Sequence, residues 1–201
     1  MTFLMRTSHC ILRTMKLYIF DVDGTLEDES RITLRRKEAQ YERIAKDLKT
    51  SIKDAKIIYW SIKEKMPKNH SSVMVMAKLG YTRKEFFRLM NTVDQTGLIE
   101  LLPGAKEMLE HLYSNNILVA YSNTPLKSTS KTLRLLGIRK YFKKVYAADM
   151  FNESKPSTGN LKTILREQKF KAKDCVAIGD SYYKDILPAK SLGIKTKWVK
   201  S

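Results

Sequence analysis

The sequence predicts an α/β protein, with a Rossmann-like parallel sheet, helices on both of its faces, and an all-helical cap inserted after the first strand. Three observations predict this class. In the second half of the chain, short apolar runs alternate with helical segments of about ten residues, which is typical of a parallel sheet with both faces covered. The region 31–100 has helical patterning and no strand signal. Polar residues follow several of the apolar runs, where parallel sheets bind ligands.

The first predicted strand, Leu17–Phe20, is a short apolar run that stops at Asp21. Further strands are predicted after residue 100, at Ile117–Tyr121, Lys144–Ala148, Cys175–Ile178 and Lys195–Val199. Apolar residues at helical spacing predict the intervening helices, at Ala105–Tyr113, Lys127–Leu136, Ser157–Gln168 and Ile186–Leu192. Glycine directly follows two of these helices, at Gly137 and Gly193, and is a common residue at helix ends.

The region 31–100 is expected to form several helices that pack on one another. The apolar residues of the first helix recur at spacings of three, four and seven, which predicts one buried face, formed by Leu34, Tyr41, Ile44, Ala45 and Leu48. A second helix spans Ser51–Lys65, and Pro67 interrupts the pattern before a third, Ser71–Leu79. Thr82 and Glu85 have the spacing of a capping box, which predicts the start of a fourth helix.

These patterns divide the chain into an N-terminal extension, residues 1–14, an α/β core, residues 15–30 and 101–201, and a helical cap, residues 31–100. The extension has no acidic residue, and Arg6 and Arg13 interrupt its apolar residues. That composition is unlike a secretory signal, and it leaves an organellar transit peptide or, as we prefer, a poorly ordered extension.

The composition of the chain argues against several classes of function, including nucleic-acid binding, membrane-spanning and disulfide-rich proteins. The 201 residues carry a formal net charge of +17, but the charges are mixed along the chain, so a solvated lysine-rich surface is expected rather than specific nucleic-acid binding. No apolar run approaches the ~20 residues of a membrane span. The two cysteines, Cys10 and Cys175, have no metal-ligand spacing and make no disulfide framework, which favours a reducing, cytoplasmic setting.

Chemically active side chains follow four of the predicted strands. Because the carboxyl ends of parallel strands meet at one edge of a sheet, these side chains are expected to converge. They belong to Asp21, Asp23 and Thr25 after the first strand, where Gly24 also lies, to Ser122 and Asn123 after the second, to Lys155 after the third, and to Asp180 and Asp185 after the fourth.

Converging carboxylates repel one another unless a cation lies among them, and hard oxygen ligands suit Mg²⁺. A nearby lysine adds positive charge for a phosphate group, and a carboxylate nucleophile can divide phosphoester cleavage into two displacements through an aspartyl-phosphate. Each motif alone has an ordinary alternative, such as a turn or a calcium loop. An EF-hand loop, however, has its glycine at position six and follows a helix, whereas Gly24 is fourth and follows a strand.

In this combination and order, the motifs resemble those of the haloacid dehalogenase superfamily of phosphohydrolases. The resemblance implies that Asp21 is the nucleophile and Asp23 the general acid/base, and that Lys155 assists catalysis. It further implies a phosphate site and a Mg²⁺ site. The phosphate ligands would be Gly24, Thr25, Ser122, Asn123 and Lys155, and the metal ligands Asp21, Asp180, Asp185 and the backbone carbonyl of Asp23.

The first motif also separates the chemistries of this superfamily. By resemblance, the dehalogenases and phosphonatase-like members of the superfamily lack the second aspartate. The alkoxide that leaves a phosphate ester needs a proton, and Asp23 can supply it. The presence of Asp23 therefore favours cleavage of a phosphate ester. A Mg²⁺-dependent phosphomonoesterase for a small phosphorylated metabolite is therefore expected. A sugar phosphomutase of the same superfamily and a non-catalytic protein that binds polyanions remain as alternatives. Lys65, Lys68, Asn69 and His70, beside Pro67, are candidates to face an anionic substrate, although a solvated loop is the preferred interpretation.

Overall fold

The computed structural model describes residues 15–67 and 71–199. The predicted extension, with Cys10, and the candidates Lys68, Asn69 and His70 lie outside the described residues. Five strands form one parallel sheet in the order β3-β2-β1-β4-β5. They are β1 (Leu17–Phe20), β2 (Ile117–Ser122), β3 (Lys144–Ala147), β4 (Cys175–Gly179) and β5 (Lys195–Trp198). The α/β class with a parallel sheet is confirmed.

Helices of the sheet region lie on both faces, as predicted. They are α5 (Ala105–Tyr113), α6 (Leu126–Leu135), α7 (Thr158–Gln168) and α8 (Leu187–Ser191). Alternate strand residues enter two different apolar clusters, with Leu118 and Ala120 packing towards α5 and α6, and Val119 and Tyr121 towards α7 and α8. This alternation is the consequence of successive side chains pointing to opposite faces of a strand.

The register of the sheet sets the position of the polar strand ends. Phe20 at the end of β1 lies opposite Ala120 of β2 and Ile178 of β4. The residues that follow these three positions therefore emerge side by side at one edge. The backbone N–H of Asp21 continues the pairing by donating to the carbonyl of Ile178 at 2.8 Å.

Between β1 and α5 the chain forms four helices, α1 (Ser30–Leu48), α2 (Ile52–Glu64), α3 (Ser72–Lys78) and α4 (Arg83–Thr92). They surround an apolar cluster that includes Ile32, Ile44, Tyr59, Met76 and Phe86, and Ala148 of the sheet region packs into it. The capping box predicted at α4 is present, with both the Thr82 and the Glu85 side chains bonded to backbone N–H groups.

The predicted buried face of α1 is wrong at its two ends. Leu34 is 61% exposed and Leu48 is 53% exposed. Tyr41, Ile44 and Ala45 are buried as predicted, and the inward side of the helix also includes Ile32, Gln40 and Arg36. The inward position of Arg36 brings a guanidinium group towards the sheet edge.

Two short segments connect the helical region to the sheet region, and they lie side by side. The N–H of Asp28 donates to the carbonyl of Glu100 at 2.9 Å, and the N–H of Leu102 donates to the carbonyl of Leu26 at 3.0 Å. Among the described residues, no helix is long and apolar enough to cross a membrane.

Candidate active site

The first two aspartates lie on the same side of the chain as it leaves β1. Asp21 and Asp23 both line a cavity of about 330 Å³ between the sheet edge and the helical region. Val22 between them is 1% exposed and packs in the apolar cluster beneath α5 and α6. The burial of Val22 directs both carboxylates to the cavity, because neighbouring side chains in extended backbone point in opposite directions.

Lys155 lies between two of the predicted carboxylates. Its Nζ donates to Asp21 Oδ1 at 2.6 Å and to Asp185 Oδ1 at 2.8 Å, and its side chain is 3% exposed. Burial by itself would lower the pKa of Lys155, but Asp185 and Asp21 raise it well above its usual value. The ammonium therefore remains charged throughout the ordinary pH range.

Asp21, Asp180 and Asp185 bring carboxylate oxygens within 4.8 Å of one another. Burial raises the pKa of Asp21 well above its ordinary value, and the neighbouring carboxylates of Asp185 and Asp23 add to this, against the opposing effect of Lys155. A divalent cation among the three carboxylates would relieve this repulsion. An all-oxygen set of carboxylates fits Mg²⁺, so the residues present are compatible with the implied metal.

Backbone geometry and the hydroxyl of Thr25 hold Asp21, Asp180 and Asp185 close together. Thr25 Oγ1 donates to Asp21 Oδ2 at 2.9 Å and accepts the N–H of Asp180 at 3.0 Å. A Cβ on Gly24, whose φ is +79°, would lie 2.9 Å from Asp180 Oδ2. A Cβ on Gly179 would lie 2.5 Å from the Asp185 Cβ. Both glycines are therefore required for the close approach of Asp180 and Asp185.

Asp185 occupies a single π-helical turn, Tyr182–Ile186, that joins β4 to α8. Its Oδ2 accepts the N–H of Ser181 at 3.2 Å, while its Oδ1 accepts from Lys155. The π-turn is a local departure from α-helical geometry, of a kind that is frequent at functional sites. Here it directs the Asp185 carboxylate back to the strand end.

The Asp23 carboxylate is surrounded by hydrogen-bond donors. Asp23 Oδ2 accepts from Ser122 Oγ at 2.7 Å and from Thr124 Oγ1 at 3.2 Å, and Oδ1 accepts from Arg36 Nη1 at 2.7 Å. Burial by itself would raise the pKa of Asp23, but the Arg36 guanidinium lowers it below the usual value, with help from the two hydroxyl donors. Asp23 is therefore ionised at neutral pH in this arrangement.

Several predicted phosphate ligands make internal hydrogen bonds. The Asn123 side chain bridges the backbone of Lys155, accepting its N–H at 2.7 Å and donating to its carbonyl at 3.3 Å. The N–H groups of Gly24 and Thr25 donate to the carbonyls of Glu27 and Val22. In this arrangement Asn123 positions the lysine, and Gly24 and Thr25 shape the loop behind the two aspartates.

The sequence interpretation missed three residues near the site. Arg36 lies on the inward side of α1, four residues after Ile32. This helical spacing could have shown that the Arg36 side chain faces the site. Glu27 is fully buried, and burial followed by the nearby Asp23 raises its pKa to about 8; no signal in the sequence singled it out. Trp198 is 45% exposed, and its indole N–H donates to the carbonyl of Asp180 at 2.7 Å.

The helical region supplies the other wall of the cavity, opposite the aspartates. Its polar contributors include Arg36, Lys37, Gln40, Tyr59 and Lys63, and Phe86, Phe87 and Met90 add apolar surface. The cavity therefore joins a carboxylate-rich strand edge to a wall that carries three basic side chains.

Several known proteins are similar to this chain in structure or in sequence. A solved phosphatase structure from Thermococcus onnurineus superposes with a TM-score of 0.73 at 22% identity, covering 92% of this chain and 86% of that one. Glyceraldehyde 3-phosphate phosphatase of Methanocaldococcus jannaschii is 30% identical over 90% of this chain and 83% of its own length. Phosphoglycolate phosphatase of Vibrio parahaemolyticus is 37% identical over 48% of this chain and 42% of its own.

The family model for haloacid dehalogenase-like hydrolases matches residues 18–199, which include the whole sheet except Leu17 and all the strand-end residues described above. The family implied by the motifs at the strand ends is thus confirmed over nearly the whole described chain, and this protein belongs to the haloacid dehalogenase-like hydrolases.

Proposed function

We propose that this hydrolase is a Mg²⁺-dependent phosphomonoesterase that acts on small phosphorylated metabolites through an aspartyl-phosphate on Asp21. The observation that carries the proposal is the placement of the Asp21 carboxylate beside Lys155 and within 4.8 Å of Asp180 and Asp185 oxygens, at the base of a cavity. The names of the relatives, phosphatases of glyceraldehyde 3-phosphate and phosphoglycolate, support the same reaction.

Asp21 is suited to the role of nucleophile because its orientation is constrained at both oxygens. Lys155 donates to Oδ1 and Thr25 to Oδ2. In the first displacement an Asp21 oxygen forms a bond to phosphorus while the bond from phosphorus to the leaving oxygen breaks. In the second, water attacks the same phosphorus and the Asp21 carboxylate is released. Fixed geometry of this kind lowers the entropic cost of reaching the transition state.

Asp21, Asp180, Asp185 and the backbone carbonyl of Asp23 would hold the metal. When bound, Mg²⁺ would neutralise the phosphate charge that otherwise repels a carboxylate nucleophile. The buried ammonium of Lys155 adds a second positive charge on the same side of the cavity.

Asp23 is assigned to proton transfer. It protonates the leaving oxygen in the first displacement and accepts a proton from the attacking water in the second. The structure has Asp23 paired with Arg36 and accepting from Ser122, a state that suits the second step. The first step needs a protonated Asp23, so the contact with Arg36 must loosen as the leaving group enters. Ser122 and Thr124 keep the carboxylate oriented meanwhile.

The proposed domain division assigns residues 15–30 and 101–201 to a catalytic core and 31–100 to a cap. The apolar cluster formed mainly by α1–α4 and the paired connecting segments near Leu26 and Leu102 support this division. The connections are the expected hinges, so that movement of the helices would open and close the cavity over the aspartates.

The test is hydrolysis of para-nitrophenyl phosphate by enzyme that has been dialysed against EDTA. We expect no turnover in EDTA and full recovery on addition of Mg²⁺, with one inorganic phosphate released per nitrophenol. Full activity in EDTA would contradict the metal requirement. A salt-sensitive affinity for nucleic acid without turnover would instead support the polyanion-binding alternative.

Release of free phosphate also separates hydrolysis from the phosphomutase alternative, which returns the phosphoryl group to a sugar. The curated relatives described above are named phosphatases, which favours hydrolysis.

A further inference from the structure

Two lysines on the helical wall of the cavity have no role in the reaction as proposed. Lys37 on α1 and Lys63 on α2 both line the cavity that contains the catalytic aspartates. Their ammonium groups lie near the same indole ring, with Lys63 Nζ at 3.9 Å and Lys37 Nζ at 5.4 Å from the Trp60 centroid. Two positive charges are therefore held beside one aromatic ring on the helical wall of the cavity.

Neither lysine has a carboxylate within ion-pair distance among residues 15–67 and 71–199. The neighbouring Arg36, by contrast, is paired with Asp23, and Lys155 across the cavity is paired with Asp21 and Asp185. Burial lowers the pKa of Lys63, and the nearby Lys37 lowers it further. The mutual repulsion of the two ammonium groups would be relieved by an anion bound between them.

The phosphoryl group that is transferred does not supply this anion. It must lie against Asp21, where Lys155 and the Mg²⁺ that Asp21, Asp180 and Asp185 would hold provide the positive charge for it in the proposed reaction. Lys37 and Lys63 belong to the opposite wall, which faces the part of the substrate that leaves. The cavity, about 330 Å³, is at the small end of the range for ligand sites, so that the leaving group is short.

We propose that the substrate is a small phosphomonoester whose leaving group carries a second anionic group, a carboxylate or a phosphate, and that Lys37 and Lys63 bind this group. The proposal rests on the proposed phosphatase function and specifies its substrate class. Trp60 positions both side chains, and the flexible lysine stems allow each ammonium to turn from the indole to the ligand.

The test is a binding measurement that needs no turnover. Calorimetry in Mg²⁺ compares n-propylphosphonate, which has one anionic group, with 3-phosphonopropionate, which adds a carboxylate, and with propane-1,3-diyl bisphosphonate, which adds a second phosphonate. We expect the wild-type protein to bind at least one of the doubly anionic ligands about tenfold to a hundredfold more tightly than propylphosphonate, the usual range for hydrogen bonds to a charged group. Whichever doubly anionic ligand binds more tightly identifies the second anionic group of the substrate as a carboxylate or a phosphate.

The double variant Lys37→Met/Lys63→Met is expected to lose most of that preference. Its matched control is Lys46→Met/Lys53→Met, which removes two exposed lysines from the same two helices and is expected to keep the wild-type preference. Circular dichroism and thermal unfolding establish that each variant is folded. If the double variant is unfolded, the single variants Lys37→Gln and Lys63→Gln replace it, each with a smaller expected loss.

Equal binding of all three ligands by the wild-type protein would overturn the proposal, and so would a folded double variant with an unchanged preference. Failure of the proposed function has a different signature. In that case para-nitrophenyl phosphate is not hydrolysed with Mg²⁺, whatever the ligand preference is.

Discussion

The two walls of the cavity differ in how their charges are compensated. On the strand edge, the side chains of Asp21, Asp185 and Lys155 are bonded to one another in a buried network. On the helical wall, Lys37 and Lys63 lie near an aromatic ring and have no acidic partner within the described chain. Side chains whose opposite charges are paired with one another are suited to keeping one geometry through the reaction. Two like charges without an acidic partner are suited to binding an oppositely charged ligand and releasing it again.

Arg36 is the polar link between the two walls. It belongs to α1, yet its guanidinium reaches Asp23 at the strand edge. Its Nε and Nη2 atoms are buried without a hydrogen-bond partner, as are both carboxylate oxygens of Glu27 nearby. Because unpaired buried polar groups are costly, we expect this link to rearrange when the helices move relative to the sheet.

The largest expected effect tests the strand edge. Asp21→Asn removes both the proposed nucleophile and a proposed metal ligand, so turnover should be abolished on every phosphomonoester. The measurement is phosphate release, with a search for phosphoenzyme after rapid quenching. Asp174→Asn, at the opposite end of β4, is the matched control and should retain activity. Residual turnover by Asp21→Asn would transfer the nucleophile role to another residue.

A smaller effect is expected for Asp23→Asn, because proton transfer contributes about 10²–10⁴-fold. Alkyl phosphates should slow by this factor. Aryl phosphates, whose leaving groups depart without a proton, should still form a phosphoenzyme and show a burst of nitrophenol before slow turnover. If Asp23→Asn forms no phosphoenzyme with any substrate while Asp21→Asn remains active, the two assignments are reversed.

The link between the walls is tested by Arg36→Met. The guanidinium lowers the pKa of Asp23, so its removal should raise that pKa. With an aryl phosphate, turnover depends on Asp23 as a base in the second displacement, and the acidic limb of the kcat profile should move to higher pH. Arg35→Met is the matched control, because Arg35 pairs with Glu42 on the outer side of α1. An unmoved limb would mean that Arg36 does not act on Asp23 in the working enzyme.

The last expected effect concerns the stability of the fold rather than turnover, and it arises at the connecting segment. Glu27 has a folded-state pKa of about 8 against an ordinary value of 4.5. Between these values the folded protein binds more protons than the unfolded chain. The free energy of unfolding should therefore fall as pH rises from about 5 to 8, by at most about 1.4 kcal/mol per pH unit.

Glu27→Gln cannot titrate, so this contribution to the pH dependence should disappear. Denaturant unfolding in EDTA measures it, with the exposed Glu107→Gln as control. The same slope in wild type and Glu27→Gln would show that Glu27 is not the group responsible.

The sequence by itself determined the sheet and the polar residues that follow its strands. Leu17–Phe20 is apolar and is followed at once by Asp21, and comparable runs precede Ser122 and Asp180. Parallel strands bring their carboxyl ends to one edge, so these residues could be expected to meet without a structure. The predicted strand boundaries differ from the observed ones by at most one residue, because each apolar run is bounded by polar or turn residues.

Only the tertiary structure decided the helical wall and the partners of each polar group. Leu34 and Arg36 lie two residues apart on α1, and composition favours burying the leucine, yet the packing of α1 against α2 and α4 turns Arg36 inward and leaves Leu34 in solvent. Likewise the hydrogen bonds from the Asn123 side chain to the backbone of Lys155 depend on the approach of a loop more than 30 residues away in the sequence. The reason is physical: strand-end positions follow from local pattern, whereas the phase of a helix and the partners of a side chain depend on elements distant in sequence.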